Sequence, residues 1–175
     1  KRQQVGVLAL QGDVDLHRQA FLQLGCDIHE IRQPYQLQEI DRLVLPGGES
    51  SALLKLMAPW NFLQAIRDFN KPILGTCAGA ILLANQVQPK HQESLDLIDM
   101  TVQRNAYGRQ IDSFVATGKV LTSEISVDSI ALTFIRAPQI SSVGSAANVL
   151  VTYADTPVLV QQGQCLAATF HPEMN

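Results

Sequence analysis

The sequence predicts an α/β fold: a mostly parallel central sheet carrying helices, followed by a β-rich second half, in one domain spanning residues 1–175. Three observations predict it. Through the first half, short apolar runs alternate with amphipathic segments at short intervals, the signature of parallel βαβ units. After residue 99, strand-like runs follow one another with few helices between them. No linker, low-complexity tract or internal repeat interrupts the chain, and 175 residues suffice for one domain with a substantial core.

The elements follow in order. Val5-Gly6-Val7-Leu8-Ala9-Leu10 is apolar and β-rich, a buried strand. Gln11-Gly12-Asp13 breaks it, and Asp13 is a helix-capping type. Val14, Phe21, Leu22 and Leu24 mark an amphipathic helix that Gly25 stops. Residues 26–31 read as a second strand and residues 37–40 as a short helical segment. Leu43-Val44-Leu45 is a third strand, ended by Pro46-Gly47-Gly48-Glu49-Ser50-Ser51. Residues 52–56 begin a helix. Asn61 is placed to cap a further one, with Phe62, Ala65, Ile66 and Phe69 on one face. Pro72-Ile73-Leu74 opens a fourth strand. Beyond residue 99, six stretches read as strands: 100–103, 111–116, 130–135, 149–153, 158–160 and 165–170. Gln162-Gly163-Gln164 reads as a hairpin turn.

Composition excludes several classes. Hydrophobic residues make up 46% and charged residues 17%, which is globular rather than disordered. The net charge is −3 with a pI near 5.7, and no basic block occurs, so no nucleic-acid footprint is expected. Apolar stretches are cut short, as by Lys55 within Leu53-Leu54-Lys55-Leu56-Met57, so no membrane span is expected. The first residues do not read as a charged, apolar, small-residue leader, so secretion is not expected. The three cysteines, Cys26, Cys77 and Cys165, are odd in number and lack metal-type spacing; they suit a reducing cytoplasm, and no bound metal is expected.

The fourth strand runs into Gly75-Thr76-Cys77-Ala78-Gly79 and then the apolar Ala80-Ile81-Leu82-Leu83-Ala84. Strand, tight turn and helix with a nucleophile-type residue between small neighbours is the arrangement serine hydrolases use at their nucleophile. The helix start behind Cys77 favours an anion at the turn, and the Ala78 N–H can face an oxyanion. The same cysteine could equally be a small buried hydrophobe, as most free cysteines are. In open α/β sheets, sites form beyond the carboxyl ends of strands, and both the Cys77 turn and the Pro46–Ser51 loop lie there. Gly47 and Gly48 can present backbone N–H groups, or simply make an ordinary turn.

At the far end stand His171-Pro172-Glu173. In an extended chain residues two apart point the same way, and Pro172 favours extended geometry at His171. A carboxylate could then orient an imidazole that takes the thiol proton. His17 falls in a helix, His29 in a strand and His91 in a polar loop; only His171 follows a buried strand with a carboxylate at that spacing.

These residues resemble the class I, triad-type glutamine amidotransferases. Pro46-Gly47-Gly48-Glu49-Ser50, Arg104-Asn105-Ala106-Tyr107-Gly108-Arg109-Gln110 and Phe134-Ile135-Arg136-Ala137-Pro138, with the opening Gly6-Val7-Leu8-Ala9-Leu10-Gln11-Gly12, narrow the resemblance to the glutaminase subunits of pyridoxal 5′-phosphate synthases. It runs in order over nearly the whole chain. It implies a three-layer, flavodoxin-like fold with helices on both faces of the sheet. It implies that Cys77 attacks glutamine, that His171 is base and then acid, and that Glu173 orients it. Gly48 and Ala78 would form the oxyanion hole, and Gly47, Gly48, Glu49, Arg104, Ile135 and Arg136 would hold L-glutamine. Arginine and glutamate match the carboxylate and ammonium of an amino acid. The resemblance also implies a separate synthase subunit that takes up the ammonia in a hetero-oligomer, and no cofactor is expected on this chain. Weak activity in isolation is expected as well, because the Gly47-Gly48 turn can flip its peptides cheaply and form its hole only on partner contact. Cys26 and Cys165 are expected to be structural. The competing readings are another cysteine hydrolase, a γ-glutamyl hydrolase or peptidase, and a silent regulatory subunit.

Overall fold

The computed structural model describes residues 2–12, 14–104 and 113–174. In chain order the elements are β1 (Gln4–Leu8), α1 (Val14–Gln23), β2 (Asp27–Ile31), β3 (Arg42–Leu45), α2 (Ser50–Met57), α3 (Phe62–Arg67), β4 (Ile73–Thr76), α4 (Ala78–Leu83), β5 (Ala84–Gln88), β6 (Ile98–Gln103), β7 (Ser113–Val120), β8 (Ser129–Ile135), β9 (Gln139–Val143), β10 (Asn148–Tyr153), β11 (Thr156–Gln162) and β12 (Cys165–Ala168), with 3₁₀ turns at Pro34–Glu39, Ala58–Trp60 and Pro172–Met174.

Nine strands form one sheet in the order β2-β1-β3-β4-β12-β11-β10-β7-β8. The pairs from β2 to β12 are parallel and those from β12 to β8 antiparallel. A second sheet, β5-β6-β9, packs nearby. Period-2 alternation sorts the parallel strands between two faces. Val5, Val7 and Val44 point to one face, against Val14 and Phe21 of α1. Leu8, Leu43 and Leu45 point to the other, against Leu53, Phe62, Ile66 and Leu82 of the helices there. This is the expected three-layer α/β fold. Every residue of α4 is buried, and each large aliphatic side chain there contributes roughly 1.5–3 kcal/mol. The antiparallel strands have a core of their own, where Phe134 stacks on Phe114 at 4.8 Å between ring centres and meets Phe170 edge-on at 6.3 Å.

Several expectations change. Asn61 precedes α3 but makes no side-chain cap bond; it sits in the left-handed region at φ 54° and turns the chain out of the preceding 3₁₀ turn. Glu49 is the cap that local composition concealed: its carboxylate accepts the Ala52 N–H at 2.6 Å and so begins α2. β5 and β9 went unread because both are rich in glutamine and serine and half exposed, so pairing rather than composition makes them strands. The strand expected over residues 165–170 ends at Ala168. The Gly163 hairpin forms as read, with φ 58°, and a second two-residue hairpin at Ala154 and Asp155, both at positive φ, joins β10 to β11. The Asp13 cap and the first residues of the expected 111–116 strand lie outside the described residues. No helix among the described residues is long and apolar enough to cross a membrane.

Candidate active site

The sheet order brings the distant motifs together. β3 and β4 are neighbours, and β12 pairs in parallel with the other side of β4, in the register Ala168 to Thr76. The Gly47-Gly48 turn, Cys77 and His171 therefore leave the carboxyl ends of three adjacent parallel strands. The Cys77 N–H donates to the Ala168 carbonyl at 2.8 Å, which ties the nucleophile turn to the strand that leads to His171.

Cys77 has φ 52° and ψ −106°, backbone angles that a non-glycine residue adopts only when its surroundings hold it there. Gly79 makes this possible: a Cβ there would lie 2.0 Å from the Leu45 carbonyl oxygen, so only glycine lets α4 press against the end of β3. The Cys77 sulfur lies 3.8 Å from the Ile135 carbonyl, and its side chain sits close enough to the His171 ring to strengthen that ring's hold on a proton.

His171 Nδ1 is 2.7 Å from Glu173 Oε2. A carboxylate only accepts, so Nδ1 carries the proton and Nε2 is left for the sulfur. The geometry that joins them differs from the extended tail expected. Pro172–Met174 is a 3₁₀ turn, with Pro172 at its first position, where a fixed φ and a missing N–H cost nothing. The His171 N–H is held by the Thr133 carbonyl of β8 at 2.8 Å. Burial works against a charge on His171, but the hydrogen bonds to Cys77 and Glu173 and the Glu173 carboxylate itself outweigh it, and the ring is pushed up to about 10. It holds its second proton through neutral pH.

A cleft of about 790 Å³ opens in front of this pair. Its lining includes Cys77, His171, Gly47, Gly48, Glu49, Arg104, Ile135 and Arg136, eight of the residues singled out in the sequence. Glu173 lies behind His171 with its side chain 1% exposed, and Ala78 is buried beneath the turn. Glu49 Oε1 pairs with Arg104 Nη2 at 3.1 Å on the rim. Burial raises the Glu49 carboxyl, but hydrogen bonds from Ser51 and Ala52, with Arg104 beside it, bring it below the usual carboxylate range. Arg136 stands at φ 46°, a second strained residue against the same cleft. Arg109 and the rest of the motif after Arg104 lie outside the described residues.

The structure adds Leu16, Ser50, Ile81, Ser113 and Met174 to the lining. It also adds a buried residue that sequence reading placed merely in a helix. His17, 1% exposed, reaches from α1 to within 3.1 Å of Thr76 Oγ1 and 3.4 Å of Glu173 Oε2. Its signal was available: it stands three residues after Val14 and four before Phe21, on the apolar stripe of its helix.

Known proteins resemble this chain in sequence and in fold. The model of the SNO glutamine amidotransferase family matches residues 7–175. A protein named pyridoxal 5′-phosphate synthase subunit PdxT from Koribacter versatilis is 51% identical over 97% of this chain and 88% of its own. One of the same name from Thermosipho africanus is 43% identical over 97% and 90%. A crystal structure of a glutamine amidotransferase superposes with a TM-score of 0.90 at 39% identity, over 98% of this chain and 91% of that one.

Proposed function

The chain belongs to the SNO glutamine amidotransferase family, and on that premise we propose that it is the glutaminase subunit of a pyridoxal 5′-phosphate synthase. It splits L-glutamine into L-glutamate and ammonia and passes the ammonia to a separate synthase subunit. We place it in the cytoplasm, where its cysteines stay reduced.

The observation that carries the reading is the succession of Cys77 and His171 on the cleft wall with Glu173 behind the ring. Cys77, its proton passed to His171, attacks the side-chain amide carbon of glutamine. The carbonyl electrons move onto oxygen, held by the N–H groups of Gly48 and Ala78; such a donor contributes about 10²–10³-fold. His171 then protonates the amide nitrogen, the C–N bond breaks, and ammonia leaves. Water, deprotonated by the now neutral ring, attacks the thioester; the C–S bond breaks and glutamate departs. Glu173 keeps Nε2 aimed at the sulfur and stabilises the imidazolium. Arg104 and Arg136 take the α-carboxylate of glutamine and Glu49 its ammonium, with Gly47 and Ile135 shaping the floor.

The test is glutamate release from glutamine with and without a synthase subunit, in wild type and Cys77→Ala. Turnover is expected to rise on adding the synthase and to vanish in Cys77→Ala. A Cys77→Ala variant as active as wild type overturns the assignment, and turnover of γ-glutamyl peptides but not glutamine makes the chain another cysteine hydrolase.

A further inference from the structure

We propose that His17 is a positioning residue of this site: from α1 it holds Glu173 in place, and through Glu173 it sets how His171 carries its proton. The inference rests on the glutaminase reading above.

The geometry supplies the argument. One carboxylate oxygen, Glu173 Oε2, meets two imidazoles, His171 Nδ1 at 2.7 Å and His17 Nε2 at 3.4 Å. His17 Nε2 also lies 3.1 Å from Thr76 Oγ1, the residue before the nucleophile. All three side chains are buried, so water does not substitute for these contacts. A lone pair on Nε2 would face the carboxylate and repel it, whereas an N–H there is attracted, so the tautomer is Nε2–H. The hydroxyl of Thr76 is a second acceptor for the same proton.

The two rings take different charges. Burial lowers His17, against the pull of Glu173, and the positive His171 lowers it further. His17 therefore stays neutral and donates, while His171 holds the charge. Among the described residues, the groups facing His17 are Glu173 and His171 from the segment after β12 and Thr76 from β4; its neighbour Arg18 on α1 pairs instead with Glu30 on the surface. His17 thus ties α1, β4 and the 3₁₀ turn at Pro172–Met174 at one point. Met174 and Leu16, from two of these elements, line the cleft.

The experiment compares wild type with His17→Leu, similar in volume but without a donor, and His17→Gln, whose side-chain amide can return an N–H near the Nε2 position. Melting temperature shows which variants fold. Long-range ¹H–¹⁵N spectra of the imidazoles follow His171 through an alkaline titration, and glutamine turnover is measured with a synthase subunit. His17→Leu is expected to release the His171 proton about one pH unit lower, since the carboxylate supporting it is no longer fixed. Its kcat is expected to fall about tenfold or more with KM within about twofold. His17→Gln is expected to recover most of both. In wild type, His17 should show the neutral Nε2–H signature at pH 7. A folded variant lacking the donor whose His171 titration and kcat match wild type, or whose titration moves upward, overturns the proposal. If His17→Leu does not fold, failure of His17→Gln to restore the wild-type titration overturns it. Absence of wild-type glutamine turnover refutes the glutaminase reading instead, while the imidazole titration still reports on His17.

Discussion

From β2 to β12 the large sheet is parallel, and β1 to β4 are joined by segments that cross a face; from β12 to β8 it is antiparallel and includes tight two-residue hairpins. The parallel half ends three strands side by side at one rim, so the Gly47 turn, Cys77 and His171 all emerge there. Among the described residues, the antiparallel half sends no nucleophile or base to the cleft. It supplies backbone: the Thr133 carbonyl that pins His171, the Ile135 carbonyl beside the sulfur, and the strained turn that carries Arg136. One half presents the reacting groups, and the other holds them and shapes the space before them. The cause lies in the connections. Parallel strands start their crossovers at the same edge and leave free loops there, whereas a hairpin spends its loop on reversing the chain.

If the antiparallel half is a support, removing its central aromatic should cost stability before it costs chemistry. Phe134→Ala is expected to lower unfolding free energy by about 3–5 kcal/mol, read from urea unfolding, because Phe134 is fully buried against Phe114, Tyr153 and Phe170. The protein that remains folded at low temperature should keep its Cys77–His171 pair. Loss of turnover without loss of stability would erase the distinction between the halves.

A methyl group in the parallel half should do the reverse. In Gly47→Ala the new Cβ would stand 2.7 Å from His171 Cε1 and 3.5 Å from Cys77 Cβ. The ring must shift, and a misplaced base costs about a hundredfold in kcat. Steady-state kinetics alongside a melting curve decide this: a large fall in kcat with a small fall in melting temperature supports the division.

The last effect is one of pH. The folded-state value of His171 is raised to about 10, from an ordinary 6.5. Its contribution to stability is therefore fully present below about pH 6.5 and is lost as pH rises toward 10. His17 is lowered, so its contribution has the opposite sign, present above 6.5 and lost as pH falls. Urea midpoints measured from pH 7 to 10 should decline in wild type. The decline should flatten in Glu173→Gln, which removes the carboxylate that holds the extra proton. An unchanged slope in Glu173→Gln would place the support for His171 elsewhere.

Local chemistry made much of this legible. The parallel strands announce themselves as continuous apolar runs, since a strand covered on both faces tolerates little else. The Cys77 turn is readable because a strained strand-to-helix corner requires small neighbours, and Gly75, Ala78 and Gly79 supply them. Glu49 was read as a glutamine ligand and is also a helix cap and the partner of Arg104, because one carboxylate can serve several donors and composition does not rank them. The position of His17 on the apolar stripe of α1 signals burial, but which groups it meets depends on elements distant in sequence.

The sequence by itself determined the alternating elements, the nucleophile turn and the pairing of His171 with Glu173, all of which rest on residues close together in the chain. Tertiary structure alone decided that β12 lies beside β4 in the register that sets Cys77 against His171, that β5 and β9 are strands, and that α1 delivers His17 to Glu173. These facts depend on which distant surfaces bury one another. That choice is made by the packing of the whole core, and no short stretch of residues encodes it.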